Sequence, residues 1–134
     1  MGLRGPTTAA GDLEEARRLG ARIITLDDAV HQGMARVMEI VRATVRAPIY
    51  LSLDIDAADP AFAPGTGTPE VGGFTSHQLL TLLRGLAGLD IVGFDLVEVA
   101  PAYDPSGITA ILAANLAFEM LSLMALRRRG APLR

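Results

Sequence analysis

The chain has 134 residues, half of them hydrophobic and a fifth charged, with a formal net charge of -3; this fits one folded domain and argues against disorder or a broad basic face for nucleic acid. It has no cysteine, so disulfides and thiolate metal sites are excluded, and its 12 cationic side chains are all arginine, so no mechanism can rest on a lysine. With no signal-peptide pattern at the N-terminus, this composition predicts a cytoplasmic protein in which any metal is held by oxygen or imidazole.

The segment "GDLEEARRL" (11–19) sets acids early and arginines late, as a helix dipole favours, and Gly20 follows as its stop. "ARIITL" (21–26) reads as a short strand. Asp27 and Asp28 can then cap an amphipathic helix running to about Val45, with Val30, Met34, Val37, Met38 and Val41 at helical spacing. After Pro48, "IYLSLDID" is a strand whose leading residues are aliphatic on both faces, which predicts cover on both sides. "TSHQ" (75–78) has capping-box spacing and opens a helix through Leu86. "DIVGFDLVEV" (90–99) is a further strand, and Asp104 with Pro105 starts a long last helix ending in "RRRG".

Within that helix "ITAILAANLAFEMLSLMAL" (108–126) approaches bilayer-crossing length, but Asn115 and Glu119 interrupt it. An apolar helix buried between a sheet and a neighbouring subunit explains the same residues, and its exterior is a candidate contact surface. The arginines of "RRRGAPLR" (127–134) complement the helix dipole and need no nucleic-acid partner.

Alternating helices and strands predict an α/β fold: a three-layer α/β/α domain with a mainly parallel sheet joined by right-handed crossovers. The irregular stretch 57–73 is longer than usual connections, and loops of that length are commonly functional.

That loop follows a set of acids. Side chains alternate along a strand, so Ser52, Asp54 and Asp56 project to one face and Leu51, Leu53 and Ile55 to the other. They stand at the C-terminal end of a parallel strand, where open α/β sheets place ligands. Two carboxylates so close repel unless a cation joins them, and oxygen donors suit magnesium, calcium or manganese. Capping of loop amides is the competing role, and it is favoured for Asp59, which precedes Pro60. An EF-hand reading fails because Pro60 follows the third aspartate in place of the required glycine turn. An aspartyl-phosphate phosphatase would want a downstream lysine, and the Gly-Thr-Gly-Thr run (65–68) lacks the Gly-Lys-Ser/Thr end of a phosphate loop.

The residues "SLDIDAADPAFAPGTGTPEVGG" (52–73) resemble the last metal-binding signature of the ureohydrolases, the arginase and agmatinase family. "GLRGP" (2–6), "YLSLDID" (50–56), "GGFTS" (72–76) and "GFDLVEVAPAYD" (93–104) are similar to agmatinase-like sequences in the same order, and the "PGTGTPE" and "VEVAPAYD" forms look more like agmatinase than arginase. The resemblance implies that residues 1–134 form a single partial domain, the C-terminal part of an arginase-like fold. It implies that Asp54 bridges two manganese ions, that Asp56 ligates one of them and that Glu98 receives the substrate's guanidinium. Asp95, an acid inside an otherwise apolar strand, is expected either to support that site from behind or to make a plain structural hydrogen bond.

The implied reaction is manganese-dependent hydrolysis of a guanidino compound to urea and an amine, agmatine to putrescine in polyamine metabolism. Guanidinobutyrate and arginine are the alternative substrates. The resemblance further implies a homo-oligomer for the complete protein, and neither nucleic acid nor a membrane is expected as a partner. The family's Gly-Gly-Asp-His and Asp-Ala-His-x-Asp motifs, and its histidine for proton transfer, are not in this sequence. His31 and His77 read as ordinary helix residues, and no catalytic residue is identified. The chain is therefore expected to carry part of an active site and to be inactive alone; the alternative is a non-catalytic interaction module derived from a ureohydrolase.

Overall fold

Helix α1 (Asp12–Arg18) carries the expected acids in its first turn and arginines in its last, with Glu15 and Arg18 paired at 2.6 Å. The amide of Gly20 closes it by donating to the Arg17 carbonyl. None of its residues is buried, so α1 rides on the surface. The computed structural model describes residues 1–7 and 9–130; positions 131–134 of the basic tail lie outside the described residues.

The strand expected over 21–26 is reduced to one parallel bridge, between Leu3 and Thr25. Gly2 donates to the Ile24 carbonyl and Leu26 to the Leu3 carbonyl, and no longer ladder forms here among the described residues. The single helix expected from Asp27 to Val45 is two helices, α2 (Leu26–Gln32) and α3 (Met34–Thr44). They part at Gly33, whose φ of 79° and ψ of 151° belong to a region open essentially to glycine alone. The cap of α2 is Thr25 rather than Asp27 or Asp28: its hydroxyl accepts the Asp28 amide while the Asp28 carboxylate accepts the Thr25 amide. The break rotates Val30 out to solvent, whereas Val37 and Met38 enter the core.

Strands β1 (Ile49–Asp54) and β2 (Ile91–Val97) pair in parallel, with Ser52 opposite Asp95 and Asp54 opposite Val97. Helix α4 (Ser76–Gly85) lies in the connection between them, started by the Thr75/Gln78 capping box. The last helix, α5 (Ile108–Arg128), begins at Ile108; Asp104 does fix its start by accepting the Thr109 amide at 2.6 Å, but Pro105 sits in the turn before it.

The sheet has unlike faces. Leu51, Leu53, Phe94 and Leu96 join a core with Met38, Leu82, Leu83, Leu112, Leu116 and Met120 from α3, α4 and α5. The opposite face carries Tyr50, Ser52 and Asp95, joined by hydroxyl-to-carboxylate hydrogen bonds, with Tyr50 62% exposed. Cover on both sides of β1 is thus not realised among the described residues, because its alternate positions are polar. In α5 the buried residues Thr109, Leu112, Ala113, Leu116, Met120 and Leu123 recur at helical spacing, one stripe turned to the core. The helix is nonetheless long and apolar enough to cross a bilayer, by length and composition.

Candidate metal and guanidinium site

Asp54 is the last residue of β1, and beyond it the chain abandons extended geometry for a short 3-10 turn, Ile55–Ala57. Simple alternation therefore accounts for Ser52 and Asp54 but not for Asp56. The turn itself brings the two acids together: Asp54 Oδ1 accepts the Asp56 amide at 3.1 Å, and both residues line one cavity of about 760 Å³. Asp56 Oδ2 accepts the Thr68 hydroxyl at 2.9 Å, which ties the turn to the glycine- and proline-rich loop.

Burial pushes the Asp54 carboxyl above the usual carboxylate range; the Asp56 amide pulls the other way, while the charges of Asp56 and Glu98 add to the upward push. The same influence places Glu98, which follows β2, in the electrostatic neighbourhood of Asp54. Glu98 has a φ of 64°, a left-handed conformation that no other non-glycine residue among those described adopts. Such a backbone redirects the side chain where an extended strand residue would continue the alternation.

Asp95 accepts the Tyr50 hydroxyl at 3.0 Å and the Ser52 hydroxyl at 2.6 Å. Both partners are on β1, so Asp95 ties strand to strand, bracing β1 two residues ahead of Asp54. Asp59 staples the loop: its carboxylate accepts the amides of Ala61, Gly72 and Gly73, and the Ala61 bond foremost holds it below the usual range. Gly73 is required there, because a Cβ would fall 2.2 Å from the Asp59 nitrogen. Farther along, the Gly65 amide donates to Thr109 Oγ1 and the Gly65 carbonyl accepts from Ala100, docking the loop onto the start of α5.

His31 lies in the last turn of α2 and His77 in the first turn of α4; both are exposed. No group of three or more His, Cys, Asp or Glu able to hold a metal ion forms among the described residues. Asp54 and Asp56 supply the hard oxygen donors that a divalent cation favours, but fewer than its usual six.

One residue of this site escaped sequence reasoning. The Arg4 side chain reaches the floor of the loop: its Nη2 donates to the carbonyls of Asp56 at 2.6 Å, Ala58 at 3.2 Å and Glu70 at 2.6 Å, and its Nε donates to Val71 at 3.3 Å. The available signal was a lone arginine in "GLRGP" ahead of a donor-poor loop.

The family model described as arginase matches residues 1–122. Guanidinobutyrase of Pseudomonas aeruginosa is 46% identical over 125 residues, covering 92% of this chain and 39% of that protein. An agmatinase of Cronobacter sakazakii is 57% identical over 104 residues, 78% of this chain and 32% of that one. Among solved structures, proclavaminate amidino hydrolase from Streptomyces clavuligerus superposes with a TM-score of 0.87 at 44% identity, over 94% of this chain and 41% of that one. The chain thus spans from 32% to 41% of the length of these relatives. Its matched family model and its arginase-type fold together establish that it belongs to the arginase family.

Proposed function

We propose that the chain contributes part of a site that hydrolyses a small guanidino compound, with Asp54 and Asp56 holding manganese and Glu98 meeting the guanidinium. The observation that carries this reading is the turn at the C-terminal end of β1, which sets the Asp54 and Asp56 carboxylates on one cavity, with Glu98 following the paired strand near enough for its charge to act on Asp54. Such a cluster is relieved by a cation. Manganese, when bound, supplies the Lewis acidity on which such a hydrolysis depends. The chain's own residues orient: the Asp56 amide and the Thr68 hydroxyl fix the two carboxylates, and Glu98 can accept a planar guanidinium through two parallel hydrogen bonds.

Agmatine is the substrate we favour. Apart from the Met1 amino group and Arg4, which is engaged by carbonyl oxygens, the charged residues in the otherwise largely apolar lining of the cavity are the acids Asp54, Asp56 and Glu70, which favour a dication. A guanidino acid is the second reading, supported by the identity to guanidinobutyrase and by 48% identity to a guanidinopropionase of Pseudomonas aeruginosa. Calorimetric titration with manganese tests the first step. Weak binding of one ion, lost in the Asp54→Asn/Asp56→Asn double variant and unaccompanied by urea release from agmatine, is expected of a partial site. Binding that the double variant retains would overturn the assignment, and turnover by the chain alone would overturn the incompleteness.

A further inference from the structure

The Arg4 guanidinium lines the same cavity as Asp54, Asp56 and Glu70, yet all of its hydrogen bonds among the described residues go to backbone carbonyls. Its donors go to carbonyl oxygens from two stretches far apart in sequence, Asp56 and Ala58 on one side and Glu70 and Val71 on the other. The first stretch belongs to the turn that presents Asp56, and the second continues the loop that presents Thr68, whose hydroxyl reaches Asp56. Nη2 alone meets carbonyls of both stretches, and Nε adds the Val71 carbonyl from a second nitrogen of the rigid plane; a lysine ammonium could meet part of the Nη2 set but has no second nitrogen for Val71. The carboxylate oxygens of Asp54 and Asp56 are left clear of a competing cation, while their backbone is held.

We propose that Arg4 is a positioning residue: by clasping the carbonyls of both stretches it fixes the Asp56 turn against the Thr68 loop and thereby sets the affinity of the Asp54/Asp56 pair for a divalent cation. The affinity half of this rests on the cation reading above. The clasp half rests on geometry alone.

Two roles for Arg4 predict opposite signs. Were it only a nearby positive charge, its removal would tighten binding of a cation. Positioning requires that its removal weaken binding. The test uses the full 134-residue chain with Arg4→Met, which keeps the apolar stem, and Arg4→Lys, which keeps the charge but loses the fork. In metal-free buffer, hydrogen exchange of the amides of Ala58, Asp59, Gly72 and Gly73 should quicken about tenfold or more in Arg4→Met, while the amides of α4 and α5 keep their rates. Manganese titration followed by electron paramagnetic resonance should show affinity reduced at least about tenfold in Arg4→Met and by a smaller factor in Arg4→Lys.

Unchanged or tighter manganese binding in Arg4→Met overturns the proposal, as does unchanged exchange at those four amides. Should Arg4→Met lose its helical circular dichroism, Arg4→Lys carries both readouts with the same signs. If the unaltered chain binds no manganese, the cation reading fails and takes the affinity half with it, and exchange alone then decides whether the clasp exists.

Discussion

Glu98 shows how a single residue can be set against its own backbone. A left-handed conformation costs a non-glycine residue about 1–2 kcal/mol, and the glutamate stays there although its side chain makes no hydrogen bond among the described residues. Glu98→Gly should therefore raise the urea midpoint, by about 1 kcal/mol in unfolding free energy, while removing the carboxylate offered to a guanidinium. An unchanged or lowered midpoint would show that the side chain contributes to the fold. Asp104 is the reverse case, an acid held by its surroundings. The Ser106 hydroxyl, then the Thr109 amide, lower its carboxyl from an ordinary 3.8 to about 2. A depressed native value stabilises the fold above the unfolded value and loses that contribution as pH falls from near 4 towards 2. Asp104→Asn should flatten this part of the acid unfolding curve; a curve of unchanged steepness would remove Asp104 from the account. The acids at the strand end were readable as a group, since Asp54 and Asp56 sit two residues apart at the end of an apolar run. The backbone angle of Glu98 and the reach of Arg4 were not readable, because both depend on where distant segments meet.

Among the elements, sequence periodicity found each long one and misjudged where they stop. The capping box at Thr75 was legible because both partners are three residues apart. Thr25 and Asp28 have the same spacing, but the adjacent acids Asp27 and Asp28 are equally good cap formers by residue type and mask it. The division at Gly33 was hidden, since a lone glycine within a helical pattern is ordinarily tolerated. A Cβ at Gly33 would meet no atom within 4 Å, so the cost of Gly33→Ala is conformational alone. We expect a loss of about 1–3 kcal/mol in equilibrium urea unfolding, and a neutral result would mean that α2 and α3 can fuse without cost. The centre of α5 is a different matter. Leu116 is fully buried, and Leu116→Ala should cost about 2–5 kcal/mol, enough to bring a small domain near its unfolding threshold at 25 °C. Full retention of helical circular dichroism and of the urea midpoint would contradict the packing described.

At the scale of the whole molecule, β1 pairs on one side only among the described residues, with β2, and the cavity lies along it. Consecutive residues Leu51, Ser52, Leu53 and Asp54 all line it, so it runs beside the strand rather than over one face. Met1, Gly2, Leu3 and Arg4 of the N-terminal segment line it too, together with the aliphatic groups of Met38, Val41, Leu79 and Leu82. The parallel order of β1 and β2 and the crossover through α4 were legible from alternation of elements, whereas a channel between a strand edge and the N-terminal segment could only emerge from the fold. Its consequence is practical. An environment-sensitive apolar dye should find a ready berth in the native protein, so a dye-based melting scan should start from a high signal, and a dark native baseline would speak against an accessible apolar channel. The chain has no tryptophan to provide a second optical signal, so its thermal transition is best followed by the far-ultraviolet circular dichroism of its helices.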